Sequence, residues 1–368
     1  MKIGLVCPYN LFKGGGVQEC VLAMQSELTK RGHDVLIITF KPRQYDGYVP
    51  DFVRLLGRGR DVKSPFSTTA QISVTVDMDQ VDALFAKENF DVLHFHEPWV
   101  PFLSRQLLAR SKAKNIATFH AKLPDTVMSR TIEKVITPYT KNLLKYFSSM
   151  TAVSDAAAIY VRSITDSNVQ IVPNGIDLEK YVVKNSSSPI KIKPNTILYI
   201  GRLEKRKGLK FLLKAVGELQ ETNPKVKLKI AGAGPDRVQL ETFAEENNIN
   251  AEFLGFTSEA DKLKLLHESQ LFCSPARYGE SFGIVLLEAM ACGLPVVAGY
   301  NPGYSIVMKG TGRISLINPS DTTEFARRLD ILMTDEPLRL AWKNWAKENV
   351  KQYNYTNIVD KYEKIYKT

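Results

Sequence analysis

Two carboxylates, Glu280 and Glu288, lie in the stretch ESFGIVLLEAMACGLPVV. Glu288 is the lone charge in the apolar run GIVLLEAMA. A buried carboxylate without a partner is strongly destabilising, so this position calls for a cation or for hydroxyl donors. A ribose diol offers two such donors, which one carboxylate can accept in a fork. Glu280 stands just before Ser281, Phe282, Gly283 and Ile284, where a helix is predicted to begin. Free amides at a helix N-terminus favour phosphate oxygens, and Gly283 lets the backbone come close to a ligand. Together these residues read as a nucleotide-sugar site, with Glu288 under the ribose and Glu280 near a second hydroxylated group. The plainer reading of Glu280 is a favourable charge at the helix dipole, about 0.3–1 kcal/mol.

Other side chains extend that chemistry. Arg202 and Lys207, in GRLEKRKG, follow a predicted strand end and supply the cations that a leaving diphosphate needs. A solvated basic loop is the alternative. His120 ends a predicted strand in TFH. A lone histidine is commonly structural, but its place at a strand's carboxyl end suits a hydrogen-bonding or stabilising group rather than a nucleophile. DMD at 77–79 imitates a metal-binding Asp-x-Asp, yet Asp79 reads better as a helix N-cap. HFHE puts His94 and His96 on one face of a strand, a spacing open to metal ligation. Cys7, Cys20, Cys273 and Cys292 have no metal-type spacing and read as small buried hydrophobes in a reducing cytosol. No metal site is expected.

The elements that must position these groups follow from the alternation of short apolar runs. With 368 residues, 44% hydrophobic and 24% charged, the composition is that of a globular chain of two domains. No apolar run reaches the roughly 18 residues of a membrane span. MKIGLVCPYN breaks too early for a signal peptide and reads as a first buried strand. KIGLVC, a glycine loop, a helix near 17–31 and DVLIITF open a doubly wound parallel fold. DVLHFHEP, NIATFH, MTAVS and VQIVPNG continue it, with a helix near 155–164. After the Ser-, Pro- and Lys-rich connection 184–195 the series restarts. TILYIGR, KLKIAGAG, AEFLGF, QLFCSP and LPVVAG read as strands, with helices at KGLKFLLKAVGEL, 259–268 and 283–292. The expectation is α/β: two Rossmann-like doubly wound parallel-sheet domains facing a crevice, over residues 1–172 and 173–354. The last thirty residues, with Trp342, Trp345, Tyr362 and Tyr366, read as helical and as packing back on the first domain. A helix from about 355 to 368 is expected to pack back on the first domain.

The net charge of +10 is unevenly spread. Residues 1–97 hold 11 basic and 12 acidic side chains, whereas residues 98–150 hold nine and two, a balance of +7. Such an excess points to an anionic partner or surface. On a helix of 100° per residue, Arg130, Lys134, Lys141 and Lys145 fall within about 60° of one another. Met128, Ile132, Val135, Tyr139 and Leu143 gather opposite. Pro138 is expected to split the stretch into two helices. This surface is read as docking on an anionic membrane, against the alternative of a core-packed stripe with a solvated basic face.

The stretch ESFGIVLLEAMACGLPVV resembles the Glu-x7-Glu signature of glycosyltransferase family 4, retaining enzymes of GT-B fold. The likeness spans most of the chain through GGGVQ, DVLHFHEP, TFH, AVSD, VPNGID, GRLEKRKG and AGAGP. It is strongest to the phosphatidylinositol mannosyltransferases, in the CPY…GGVQ opening and the basic segment after TFH. The resemblance implies that Glu280 binds donor-sugar hydroxyls, Glu288 the ribose, and Arg202 and Lys207 the diphosphate. Gly15 and Gly16 would approach the diphosphate, Thr257 would lie near the base, and His120 would touch the sugar at the reaction centre. Tyr9, Gln18, Trp99 and Lys122 would line the acceptor, and the HFHE motif would be structural.

Implied too are front-face transfer without a divalent metal or other cofactor, and GDP-mannose as donor ahead of a UDP-sugar. The acceptor would be a lipid such as phosphatidylinositol, and the enzyme cytoplasmic and peripheral on the inner face of the membrane, with no nucleic-acid partner. Two departures bear on the acceptor. The mannosyltransferase pattern has Asn after HEP and Thr after TFH, where this chain has Trp99 and Ala121. Another glycolipid or a soluble acceptor is therefore the alternative. A sugar-nucleotide epimerase or a non-catalytic membrane module fits less of the motif set.

Overall fold

A computed structural model describes residues 1–42, 45–63, 69–122, 127–182 and 191–368. They form two units, residues 1–175 with 355–368 and residues 176–354. The first runs β1 (Lys2–Val6), α1 (Gly16–Lys30), β2 (Asp34–Lys41), β3 (Val53–Lys63), β4 (Thr69–Thr75), α2 (Met78–Lys87), β5 (Val92–His96), α3 (Leu103–Leu108), β6 (Lys114–Phe119), α4 (Val127–Leu144), β7 (Ser149–Ala152), α5 (Asp155–Arg162) and β8 (Val169–Ile171). The second runs β9 (Thr196–Ile200), α6 (Leu209–Thr222), β10 (Lys227–Ala231), α7 (Arg237–Glu246), β11 (Ala251–Gly255), α8 (Glu259–Glu268), β12 (Leu271–Ser274), α9 (Ile284–Ala291), β13 (Val296–Gly299), α10 (Pro302–Val307), β14 (Leu316–Ile317), α11 (Thr322–Thr334) and α12 (Glu336–Lys351). The closing helix α13 (Tyr355–Lys367) belongs to the first unit.

The first sheet is ordered β4-β3-β2-β1-β5-β6-β7-β8 and the second β11-β10-β9-β12-β13-β14. All pairs are parallel except β3–β4. Apolar runs such as LIITF and VLHFH suit strands covered on both faces, and β2 and β5 are buried along almost their whole length. In each sheet the strand order reverses once, between β1 and β5 and between β9 and β12. Ligands of such sheets bind where the carboxyl ends of those strands diverge.

Helix α13 packs on α1. Ile358, Tyr362 and Tyr366 share a core with Ile3, Leu5, Met24 and Leu28. Each such aromatic ring withdraws about 150–250 Å² from water. Arg31, just past α1, clamps the helix through Asp360 at 2.7 Å, Glu363 at 3.0 Å and the Thr356 carbonyl at 2.7 Å.

Three expectations are corrected. Trp342 and Trp345 sit on α12 in the second unit, where Trp342 is fully buried and donates to Ser315 Oγ at 2.7 Å. The capping residue of α2 is Asp77, which accepts from the amides of Asp79 and Gln80; Asp79 stands in the first turn. Helix α4 runs through Pro138 without dividing, since one missing N–H removes one bond of a long ladder. The antiparallel edge pair β3–β4 had no counterpart in the sequence reading.

Candidate functional site

In the second unit, β9 and β12 meet at the switch point, with Ile197 beside Leu271 and Leu198 beside Phe272. Their carboxyl ends release the loops that carry Arg202–Gly208 and Pro275–Gly283. Gly208 locks the two loops together. Its φ is +71°, and a Cβ there would stand 2.2 Å from the Pro275 carbonyl oxygen. The Arg277 amide donates to the Arg206 carbonyl at 3.0 Å.

These loops build a chain of alternating charges. Arg202 Nη1 lies 3.0 Å from Glu204 Oε1, and Glu204 Oε2 accepts from Arg206 Nε at 2.9 Å. Arg206 Nη1 and Lys207 Nζ both reach Glu280 Oε1 at 2.7 Å. Burial alone would raise the Glu280 carboxyl, but Lys207 and Arg206 outweigh it and hold the group below the usual carboxylate range. Three cations against two carboxylates leave a net positive cluster. Its most exposed member is the Arg202 side chain, at 55%. Arg206 and Glu204 were not among the residues singled out from sequence. The alternating signs of LEKRK were the available signal.

Glu288 is 4% exposed and is not unpartnered. Lys262 Nζ and Tyr181 Oη both reach its Oε1 at 2.9 Å. Burial works against the charge on Lys262, yet Glu288 and Glu259 prevail and raise its affinity for the proton. Of the two partners that this carboxylate called for, the fold supplies the cation, together with a phenol hydroxyl.

The helix after Glu280 begins at Ile284, with Gly283 as its N-cap. Gly283 has φ +105°, and a Cβ there would press on the Tyr304 ring at 2.7 Å. The fold itself therefore demands this glycine, whatever ligand approaches. Phe282 is buried edge-on against the Tyr353 ring at 5.7 Å, whereas Ser281 and Ile284 are half-buried. Thr257 is half-buried between β11 and Ser258, the N-cap of α8.

In the first unit the switch point lies between β1 and β5. Gly15 is the N-cap of α1 and Gly16 its first residue. Gly15 has extended backbone (φ 173°), and its added Cβ would meet only the flexible Gln18 side chain, so nothing in the fold requires glycine there. Gln18 donates to the Asn10 carbonyl at 3.2 Å and closes the loop, in which Tyr9 is half-buried. Lys122 is half-buried beyond β6.

Three histidines stack across β5 and β6. His94 lies 4.4 Å from His96, and His96 lies 5.1 Å from His120, centroid to centroid. His94 uses both ring nitrogens, one with Tyr366 Oη at 2.7 Å and one with Thr118 Oγ1 at 2.6 Å. The His94–His96 pair is therefore no ligand pair. His120 is 7% exposed, its Nε2 2.9 Å from His96 Nδ1, with the Asn174 side chain beside it. Burial pushes His120 down to about 4, only partly offset by Asn174, so the ring is neutral near pH 7. Neutral imidazole suits the hydrogen-bonding part read from the sequence.

What positions His120 is Glu97, a residue the sequence reading passed over. It sits directly after β5, fully buried, with φ +49°. One carboxylate oxygen accepts from the His120 and Ala121 amides and the other from Trp99 Nε1. Burial pushes its carboxyl up to about 7 despite these three donors. The signal for it was a charge placed straight after a buried strand and before proline. Glu97→Gln turns one acceptor into a donor, facing either the two amides or the indole. It is expected to lower unfolding free energy by about 1–3 kcal/mol, measured by urea titration. An unchanged transition midpoint would remove Glu97 from this role.

The family described as Glycosyltransferase Family 4 matches residues 14–180, and the family of Glycosyl transferases group 1 matches residues 184–349. The chain is 30% identical, over 371 residues, to the phosphatidyl-myo-inositol mannosyltransferase of Mycolicibacterium smegmatis, covering 100% of this chain and 94% of that one. The Mycobacterium leprae protein of the same name is 30% identical over 372 residues, covering 100% and 97%. Among solved structures, Anabaena HepE in complex with UDP and glucose matches with a TM-score of 0.77 at 19% identity, over 100% of both chains. At that identity the likeness bears on the fold alone.

Proposed function

Because this chain belongs to glycosyltransferase family 4 and is a hexosyltransferase, we propose that it moves mannose from GDP-mannose to a hydroxyl of a membrane lipid such as phosphatidylinositol, with retention. The observation that carries this reading is the cluster Arg202–Glu204–Arg206–Glu280–Lys207 at the carboxyl ends of β9 and β12. A leaving diphosphate needs cations fixed before the reaction, in a partly dry place, and this cluster has that character. In the proposed reaction Arg202 and Lys207 hold the diphosphate, Glu280 the sugar hydroxyls and Glu288 the ribose. The amides from Ser281 to Ile284, with Gly15 and Gly16, approach the phosphates, and Thr257 lies by the base.

Transfer follows the front face. Retention by double displacement needs two carboxyl groups about 5 Å apart across the bond, and the first-unit carboxyl beside His120, that of Glu97, has both oxygens taken by the His120 and Ala121 amides and the Trp99 indole. The acceptor hydroxyl enters on the side the diphosphate leaves, and the departing phosphate takes its proton. Neutral His120 hydrogen-bonds the sugar. The relatives named as phosphatidyl-myo-inositol mannosyltransferases support mannose and a lipid acceptor. One observation favours a different polyol lipid or a soluble acceptor. Trp99, where the pattern has Asn, has its one polar hydrogen engaged by Glu97, and Ala121 has no polar side chain.

Incubating the purified chain with GDP-mannose and phosphatidylinositol vesicles in chelator is expected to give mannosylated lipid. No acceptor-dependent transfer, or transfer only after Mg²⁺ or Mn²⁺ is restored, would overturn the lipid reading or the metal-free reading respectively. Glucose transfer from a UDP-sugar instead would replace the donor.

The lipid acceptor implies contact with a membrane surface. Among the described residues, no helix is long and apolar enough to cross a membrane. On α4, Lys134 and Lys141 are exposed, whereas Tyr139 is half-buried and Leu143 is buried; exposed Lys145 follows the helix. The side chains of Met128, Arg130, Ile132 and Val135 lie outside the described residues. The reading is a peripheral enzyme on an anionic inner face, each Lys near the surface contributing about 1 kcal/mol. In sedimentation with liposomes, binding should rise with anionic lipid and fall with salt. It should drop when Arg130, Lys134, Lys141 and Lys145 become Ser. A quadruple variant that sediments like wild type would end the docking reading.

A further inference from the structure

We propose that Cys20, His96 and His120 form a latent site for a thiophilic divalent cation such as Zn²⁺, and that filling it arrests transfer. The three residues come from α1 and from the carboxyl ends of β5 and β6, all within the first unit. One donor atom from each lies within 4.8 Å of the others, and all three side chains are buried. Zinc binds sulfur at about 2.3 Å and imidazole nitrogen at about 2.0–2.1 Å. Donors on one tetrahedral ion therefore stand roughly 3.3–3.7 Å apart. Closing the cluster onto an ion takes side-chain shifts on the order of an ångström or less.

A second observation concerns the His96 ring itself. His96 is wholly buried, and its Nε2 has no hydrogen-bond partner. Its Nδ1 faces His120 Nε2 at 2.9 Å, so one proton must sit between two lone pairs. If the His96 ring proton moves to the unpartnered Nε2, Nδ1 presents a lone pair beside that of His120. Two facing lone pairs repel, and a cation between them removes the repulsion. On binding, the Cys20 thiol gives up its proton to solvent, and the thiolate becomes the third ligand. The fourth position stays open to water. Thiol plus two imidazoles favours Zn²⁺ over Mg²⁺ or Ca²⁺, which take oxygen ligands. His94 is not a ligand, since both its nitrogens are engaged, but its stacked ring holds His96 in place.

Binding at this site stands on geometry alone. Its effect on transfer rests on the proposed role of His120, whose lone pair the ion would take. The full-length protein, cleared of metal by chelator, is titrated with Co²⁺ and with Zn²⁺. Co²⁺ should give a thiolate charge-transfer band in the near ultraviolet at one equivalent. Zn²⁺ should inhibit mannosyl transfer, reversibly on adding chelator. Cys20→Ala, and Cys20→Ser as a second variant, should keep basal activity, lose the band and raise the inhibitory Zn²⁺ concentration about tenfold or more. Cys292, whose Sγ lies 3.7 Å from His267 Nε2, is the other cysteine beside a histidine. A band that survives both Cys20 variants but is lost in Cys292→Ala overturns the proposal, as does no thiolate band at all. A Cys20-dependent band without inhibition upholds the site and overturns the part given to His120.

Discussion

Glu280→Ala is expected to lower turnover about a hundredfold at saturating donor, with a smaller effect on donor affinity. Glu280 is proposed to touch the sugar, and it is also the joint of the charge cluster. Without it, Lys207 loses the partner at 2.7 Å, and Arg206 keeps Glu204 and the Gly279 carbonyl. The cations proposed to receive the diphosphate would then be present but no longer fixed. A misplacement of about 1 Å is enough for a hundredfold loss. Stability should fall by less than the 3–5 kcal/mol or so of a broken buried pair. Arg206 retains one carboxylate, and the Lys207 side chain is 15% exposed, so it can recover some hydration. Arg206→Ala tests the same cluster from a residue with no assigned donor contact. Its turnover should fall as well, and Arg206→Lys should recover part of it. Steady-state kinetics beside calorimetry separates the two effects. Near-wild-type turnover in a folded Glu280→Ala protein would remove this carboxylate from the reaction.

The parts of the fold that could be read in the sequence are those fixed by short-range pattern. Strands β2, β5, β9 and β12 are apolar runs of four to eight residues bounded by Gly, Pro or charge, as buried parallel strands require. Helix α8 follows a Ser N-cap, and its residues 259–268 were read as they stand. The β3–β4 pair was not legible, because VRLLGRGRDVK mixes glycine and charge as an edge pair can. The site divides in the same way. Arg202, Lys207 and His120 are legible because each ends or follows a strand, and Glu280 because it precedes a helix start, positions that the strand–loop–helix pattern encodes. Their partners are not, because Glu280 meets Arg206 across 74 positions and Glu288 meets Tyr181 across 107. Pairing at such separations is decided by which loops the sheet order makes adjacent. Glu97 is an intermediate case. Its partners His120 and Ala121 are only 23 and 24 positions away, but they become neighbours only because β5 pairs with β6.

The Glu288–Lys262 pair permits the sharpest division between a binding and a structural part. Glu288→Ala should weaken donor binding about 10–100-fold, the worth of hydrogen bonds to a charged acceptor. It should also destabilise the second unit, because Lys262 is left nearly buried, with only the exposed Glu259 at 3.0 Å. The single variant therefore confounds two effects. Replacing a buried pair by apolar side chains of similar volume is often neutral or stabilising. The triple variant Glu288→Leu, Lys262→Met, Tyr181→Phe leaves neither an ammonium nor a phenol hydroxyl stranded. It should regain the wild-type melting temperature or exceed it. If Glu288 also grips the ribose, donor affinity stays low in this repaired protein, as calorimetric titration with the nucleoside diphosphate alone would register. Wild-type affinity in the triple variant would mean that the carboxylate in GIVLLEAMA is there to neutralise Lys262, and the ribose contact would have to be sought elsewhere at the carboxyl edge of the second sheet.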